Sequence, residues 1–442
     1  MASKSQILAT LADTLQLLKE AGAEYADVTY KESSSLSVGM RNGLVESFER
    51  IPQSSGIGMT VRVGHKSASV SPDTKRAGLL KESARAAVAA ARLKTDNPDQ
   101  ALPDRALLSK IRNNKKLDLL DRTKPGADEM IRQLRDTESA ARAVRHIKDV
   151  SGASASWSRS RTVSLDSNGD LFESERSGSY FGASVIAENG GPLATGHEYT
   201  QTIHRADLRD AESVGRKAAE DAVKQLNPRR APATGKLPVI FDPDVAAGLL
   251  GHFAQAASGG SIFMNQSFLT KDSLEQKVLA TGITITNDPH RLRSRASGMF
   301  TNSGLPTKAV TVADKGVLKS LFLGLESARR LGFPLTAIKG DPGNLTIEAG
   351  AVSRAALLAG VKEGFYVTGV MGQGVNVANG DYSRGASGFW IENGVLTHAV
   401  NEATIAGNLR DMFMNMVAAD DLDVREKTSA APTLRVDGMT IA

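Results

Sequence analysis

Cysteine is absent from all 442 residues of this chain. Its absence excludes disulfide scaffolds, thiol nucleophiles, iron–sulfur clusters and every cysteine-containing zinc site. No segment approaches the ~18 consecutive apolar residues of a membrane span. Residues 1–30 also lack the basic start and apolar core of a secretory signal. We therefore expect a cytoplasmic protein with no membrane partner.

A strong excess of one charge is missing too. The chain has 54 Lys and Arg against 49 Asp and Glu, a net charge of +5. Nucleic-acid-binding surfaces need a clustered basic stripe, but the densest basic spots, Arg229-Arg230 and Arg291–Arg295, are short. A solvated linker or loop explains both spots better than phosphate contact. We expect no direct nucleic acid binding.

Local patterns predict helices and hairpins in the first half. Apolar residues share one helical face up to Gly22, which predicts a helix over 5–21. Asn42-Gly43 lies between alternating segments and is typical of a hairpin, because both turn positions need positive φ. Further predicted elements are a second hairpin (57–63 and 67–70), a helix over 75–93 with Asp73 as N-cap, an exposed loop (94–105), a helix (127–143), a strand-rich stretch (148–203) and a helix (207–226).

The first half partly repeats itself. Residues Asn42–Arg50 resemble Asn168–Arg176, and each segment is followed by a Gly-containing apolar strand. We interpret them as two similar hairpin units that indicate an internal duplication. Chance similarity between two hairpins is the rival explanation.

The clearest linker is rich in proline, arginine and glycine and spans residues 227–235. Such a composition prevents regular structure. We therefore predict an N-terminal α/β domain over 1–228, with antiparallel hairpin-rich sheets and helices. A linker over 229–236 and a C-terminal β-rich domain over 237–442 with a few helices follow. The predicted fold class is α+β.

The second half begins with a predicted strand over 237–241, after which Asp242-Pro243 caps a helix over 244–257. The sequence that follows is rich in glycine and in residues that favour strands, with Asn-Gly turns at 379–380 and 393–394. A last helix is predicted over 403–417.

Catalytic motifs are not found among these elements. None of the seven histidines has the paired spacing of a zinc protease, and no Gly-x-Ser-x-Gly elbow or P-loop occurs. Asp420, Asp421 and Asp423 are candidates for binding a divalent ion, but a solvated acidic turn is the commoner arrangement. The residues alone therefore predict a two-domain α+β protein without a recognisable catalytic constellation.

Several segments resemble the TldD/PmbA family, and its PmbA (TldE) branch most closely. The similar segments are Ala26-Asp27-Val28, the Asn42-Gly43 hairpin, Ser303–Thr307, Gly369–Asn376, Gly380–Gly394 and Glu402–Leu409. The resemblance implies an N-terminal α/β domain, a C-terminal β-rich domain and a cytoplasmic peptide-processing metalloprotease, once described as a modulator of DNA gyrase. It also implies a TldD–TldE heterodimer in which TldD holds zinc through His-Glu-x-x-x-His and a cysteine.

The zinc motif of the family is degenerate here. Aligning on Leu249-Leu250 places the first histidine at Gly251, the glutamate at His252 and the second histidine at Ala256. Glycine and alanine carry no donor, and an imidazole is a poor substitute for the carboxylate that activates water. We therefore predict no catalytic residue and no metal ligand in this chain, and we expect zinc in the partner subunit.

The resemblance favours a non-catalytic subunit that assembles with a TldD-like homologous chain and acts on peptides or unfolded proteins; in isolation a homodimer is the alternative. Two other hypotheses are a stand-alone or homodimeric modulator acting on gyrase or an antitoxin, and an enzyme of unrelated chemistry. The predicted peptide or subunit contacts are Met371, Gly372, Gln373, Gly374, Tyr382, Ser383 and Arg384. A tightly turned core hairpin is the structural alternative for this glycine-rich segment.

Overall fold

The structure, a computed structural model, describes residues 2–72 and 78–442. The elements of the first half are α1 (Lys4–Glu20), β1 (Tyr25–Arg41), β2 (Leu44–Val63), β3 (Lys66–Val70), α2 (Leu79–Leu93), α3 (Ala127–Arg142), β4 (Ile147–Asp166), β5 (Leu171–Ala187), β6 (Ala194–Thr202) and α4 (Ala211–Lys224). Both predicted hairpins and the helices at 5–21 and 127–143 are confirmed. The helix predicted over 207–226 begins later, at Ala211. Asp73 and the predicted start of α2 at residue 75 lie outside the described residues.

These elements form two copies of one unit. The strands build a six-stranded antiparallel sheet in the order β3-β2-β1-β4-β5-β6, so that each copy reads α-β-β-β-α. An offset of 126 residues (168 − 42) relates the two Asn-Gly turns. The pairing of β1 with β4 runs from Asp27–Asp166 to Met40–Ala153, so its centre lies between the pairs Ser33–Ser160 and Ser34–Arg159. A pseudo-twofold axis therefore passes between them, and the two similar units predicted from the sequence are confirmed.

All four helices cover one face of this sheet. Alternate residues over most of β1, such as Val28 and Val38, are buried beneath them, and β4 behaves alike at Ala155 and Val163. The opposite face carries small polar residues, among them the exposed Ser154 and Ser156. The alternation follows from the two-residue repeat of a strand, which sends neighbouring side chains to opposite faces.

The second half contains α5 (Pro243–Ala256), α6 (Gly259–Phe263), α7 (Leu325–Leu331), α8 (Arg354–Ala359) and α9 (Leu409–Met414). Its strands are β7 (Gly235–Phe241), β8 (Ile285–Asn287), β9 (Val310–Asp314), β10 (Val317–Leu318), β11 (Leu345–Ile347), β12 (Glu363–Met371), β13 (Val375–Asn376), β14 (Asp381–Glu392), β15 (Val395–Asn408), β16 (Met416–Ala418), β17 (Ser429–Ala430) and β18 (Leu434–Ile441). The predicted α+β fold, with an α/β first half and a β-rich second half, is confirmed. The boundaries at 228, 229–236 and 237 stay a prediction. No described helix is both long and apolar enough to cross a membrane.

A closed ring of strands organises the second half. β14 pairs with β15, β15 with β18, β18 with β7 and β7 with β12, and β12 returns to pair with β14. Closure leaves these five strands without a free edge over their paired lengths. A smaller sheet, β10-β9-β8-β11-β17, lies beside the ring, and α5 packs against both.

The helix predicted over 403–417 is wrong. Residues up to Asn408 continue β15, pairing with β14 and β18, and only Leu409–Met414 is helical. The Asn408 side chain accepts from the Arg410 amide and caps that short helix. The apolar residues Ala403 and Ile405 suit either structure, and pairing on both sides decides for the strand.

Candidate functional site

The positions predicted for the degenerate zinc motif, Gly251, His252 and Ala256, lie on α5. Asp242 caps this helix, accepting from the Asp244 amide at 3.2 Å, and Pro243 fills the first helical position. Leu249, Leu250 and Phe253 are buried against the strands. As predicted, Asp242-Pro243 starts the helix.

The three motif positions do not converge. Gly251 is exposed, and a Cβ built on it meets nothing within 4 Å. Ala256 is fully buried (0% exposed), and its carbonyl accepts from Ser267 Oγ at 2.7 Å. Five residues turn a helix by about 140°, so these two positions lie on different sides of α5. His252, between them in direction, is half-buried.

His252 packs against the β13–β14 hairpin. Its ring meets the edge of Tyr382 with centroids 6.1 Å apart. Burial lowers the pKa of His252, and the positive charge of Arg384 lowers that pKa further. Because the ordinary histidine pKa is about 6.5, the ring is neutral at pH 7 and packs as an uncharged side chain.

The glycine-rich segment forms a tight turn beside this histidine. The Ser383 amide donates to the Gly374 carbonyl at 2.6 Å, and Arg384 Nε donates to the Met371 carbonyl at 3.1 Å. A Cβ on Gly374 would lie 2.0 Å from the Ser383 carbonyl oxygen, so only glycine fits there. Gly372 has φ +88°, which also favours glycine.

The structure thus brings together two groups of residues that lie about 120 positions apart in the sequence. Met371–Gly374 and Ser383 are exposed, with 63% of Met371 accessible. Tyr382 is 3% exposed, and burial raises its pKa to about 12. The exposed members are free to contact a peptide or a subunit, whereas Tyr382 supports them from within. Their contact role stays a prediction.

The chemistry of these residues does not fit a zinc ion. The motif positions offer a single imidazole and no carboxylate. Across residues 2–72 and 78–442, no group of three or more histidine and acidic side chains could hold a metal ion. Asp421 accepts from both the amide and the hydroxyl of Thr433, and Asp423 pairs with Arg425, so the acidic turn at 420–423 has structural partners. We therefore assign no metal-dependent step to the residues of this chain.

A hydrogen-bond network at the start of α5 is not predicted by any motif in the sequence. The Tyr366 hydroxyl donates to Asp242 Oδ2 at 2.7 Å and accepts from Arg354 at 2.5 Å. Burial and the negative charge of Asp242 raise the pKa of Tyr366 well above its ordinary value. The network fixes the cap of α5 to β12 and α8, because Tyr366 and Arg354 belong to these elements.

Comparison with known proteins shows which family shares this arrangement. The model of the PmbA/TldA metallopeptidase central domain matches residues 121–226, and that of the C-terminal domain matches residues 234–442. Metalloprotease PmbA of Escherichia coli O157:H7 is 32% identical over 434 residues, which are 98% of this chain and 95% of the relative. A Metalloprotease PmbA homolog of Haemophilus influenzae is 33% identical over 445 residues, covering 100% and 97% of the two chains.

Solved structures share the fold. A candidate modulator of DNA gyrase from Bacteroides thetaiotaomicron superposes with a TM-score of 0.91 at 24% identity, covering all of both chains. TldE from Thermococcus kodakarensis superposes with a TM-score of 0.80 at 18% identity, covering 98% of this chain and 99% of that one. The matched domains and the full-length identity show that this chain belongs to the TldD/PmbA family, in its PmbA branch.

Proposed function

We propose that this chain is the non-catalytic subunit of a two-subunit metallopeptidase. The observation that carries the proposal is the state of α5: Gly251 has no side chain, His252 packs on Tyr382, and Ala256 is buried. A homologous TldD-like chain supplies the zinc and the water-activating carboxylate. This chain stabilises that partner and forms part of the wall around its site. The complex works in the cytoplasm.

The substrate is an unfolded protein or a peptide. Backbone pairing recognises extended chains of any sequence, and the turn Met371–Gly374 exposes backbone next to Ser383 and Arg384. We assign these residues to binding and orientation of peptide or partner. No proton transfer is assigned to this chain, because the one histidine on α5 is half-buried and packs on Tyr382.

The test mixes the purified chain with a TldD-like homologue that has an intact His-Glu-x-x-x-His, using an unfolded peptide and measuring cleavage and zinc content. We expect cleavage by the mixture and stoichiometric zinc that follows the partner. His252→Ala in this chain leaves zinc content unchanged, whereas loss of the first histidine of the partner abolishes both zinc and cleavage. Zinc-dependent cleavage by this chain alone contradicts the proposal, as does a chain that never associates with such a homologue.

A further inference from the structure

The hairpin end of the first unit is bare. We call β1 residues 36–41 together with β2 residues 44–51 the first arm. Every residue from Leu44 to Ile51 is exposed, and no described strand pairs with the outer side of this part of β2, since β3 pairs only with Met59–Val63. A long unpaired strand edge is a site that natural proteins cover or blunt.

Apolar side chains emerge from both faces of the first arm. The register passes from Gly39–Ser47 to Met40–Val45, so Glu46 is an extra residue, a β-bulge. The bulge places Val45 and Phe48 on the same face of the sheet as their strand partners, the buried Met40 and Val38. Phe48 is nevertheless 52% exposed, because the helices of the sheet do not reach it.

The other face of the arm carries exposed apolar side chains as well. Leu44 is paired with the exposed Arg41 and Ile51 with Ser35, which places both on the serine-rich face of the sheet. Leu44 is 74% exposed. A single peptide strand added at the edge would leave these side chains in water. A folded partner that encloses both faces would cover them.

The arm is held ready for such a partner. At its tip, the Gly43 amide donates to Glu138 Oε2 at 2.6 Å, and Arg142 donates to Asn42 Oδ1 at 2.5 Å. Both partners lie on α3, so the tip is fixed to the sheet. Prior ordering of a binding element lowers the entropy lost on association.

The second unit shows how this fold covers an arm. Its equivalent end, β4 residues 162–166 with β5 residues 171–177, is the second arm. The Glu173 amide donates to the Arg112 carbonyl and the Ser177 amide to the Leu119 carbonyl, both at 2.9 Å. Phe172 stacks on Phe300 with centroids 4.8 Å apart. This chain therefore carries a surface, built from extended backbone and an aromatic side chain, that encloses an arm.

We propose that the first arm is the docking element for the homologous subunit, which pairs backbone with residues 45–51 and encloses Phe48 and Ile51. This inference rests on the proposed two-subunit function. Glu46 and Glu49, together with Arg41 and Arg50, flank the apolar side chains, so the partner surface combines apolar groups with charges of both signs.

The test compares the wild-type chain with Phe48→Lys/Ile51→Lys, each mixed with the TldD-like homologue, by sedimentation velocity. Leu93→Lys is the matched control, since Leu93 is also apolar and 88% exposed but lies at the end of α2. We expect Kd to rise at least ~100-fold for the double variant, as for two central interface residues, and to stay unchanged for the control. Circular dichroism checks that both variants fold.

The outcomes separate the two proposals. A wild-type chain that does not associate at all contradicts the two-subunit function. A wild-type complex that the double variant forms with equal Kd overturns the docking role of the arm alone. Self-association of the wild-type chain that the double variant loses assigns the arm to a second copy and overturns the homologous subunit as its occupant. Hydrogen exchange supplies a second readout: amides of residues 45–51 gain protection only in the complex.

Discussion

The two arms of the N-terminal sheet share an Asn-Gly pair and the same strand order, but their turns and surroundings differ. Asn42 and Gly43 both have positive φ, whereas in the second turn Gly169 has positive φ and Asn168 does not. At the second arm, Asp170 pairs with Arg105 and Arg112, and segment 105–121 joins the arm to the second half of the chain. At the first arm the corresponding residue is Leu44, which is exposed. The two units therefore share their strand order. The side chains at the end of each arm determine whether that arm packs against its own chain or is exposed.

The two ends of the β1–β4 pairing also differ. Asp27 pairs with Asp166 at one end, on the serine-rich face, and Met40 pairs with Ala153 at the other end, beneath the helices. Burial raises the pKa of Asp27 to about 6, and Asp166 raises that pKa further. Tyr25 donates to Asp166 at 3.0 Å. The central strand pair thus carries a partly buried acidic pair at one end and apolar side chains at the other.

The largest expected effect concerns the helix pairs of the two units. α3 and α4 meet at Gly215, where a Cβ would lie 2.1 Å from the Thr137 carbonyl oxygen, whereas α2 contains no glycine. We expect Gly215→Ala to lower the free energy of unfolding by about 3 kcal/mol through overpacking. Gly152→Ala, where nothing lies within 4 Å, is the control and should change it by less than about 0.5 kcal/mol. Urea unfolding measures both; equal losses would show that the close helix contact is absent.

Matched aromatic truncations test the arms directly. Phe172→Ala removes the contacts with Phe300 and Arg112 and should cost about 2–3 kcal/mol, less than a fully buried phenylalanine. Phe48→Ala in the isolated chain should cost less than about 0.5 kcal/mol, because Phe48 is half in water. Chemical denaturation of both variants measures the difference. A large loss for Phe48→Ala would mean that the first arm is covered in the isolated chain.

The acidic pair predicts a pH dependence. The pKa of Asp27 is about 6 in the folded chain against 3.8 as its ordinary value. The unfolded chain releases this proton first, so the stability contributed by protonated Asp27 is full below pH 4 and is lost as pH rises through 6. We expect a loss of up to about 2 kcal/mol across this window. Asp27→Asn should remove that slope in denaturation curves between pH 4 and 7, and an unchanged slope would assign it to other groups.

The smallest effect leaves stability unchanged and concerns amide exchange. The Glu173 and Ser177 amides donate to segment 105–121, so they should exchange slowly. Outward-facing amides of residues 45–51 have no described strand beside them and should exchange at least ~10-fold faster in the isolated chain. Hydrogen exchange followed by NMR or mass spectrometry compares the two arms. Equal protection would indicate that the first arm is already paired.

Local sequence patterns predicted much of the first half. Apolar periodicity up to Gly22 and the Asn42-Gly43 turn depend only on neighbouring residues, so α1 and the first hairpin follow from them. The single strand Leu44–Val63 was not foreseen as one element, because residues 44–55 have no buried face to produce a regular alternation. The local pattern of Ala403–Asn408 predicts a helix, because the partners that make it a strand, β14 and β18, are remote in the sequence or follow it.

The candidate site divides in the same way. The prediction of no zinc ligand at Gly251 and Ala256 needs only the residue types, since neither residue has a side-chain donor. Contacts that form only in the folded chain bury Ala256, pack His252 on Tyr382, and cover one arm while its twin is exposed. These features depend on contacts between residues far apart in the chain, whereas composition, turns and missing donors are properties of each residue and its immediate neighbours.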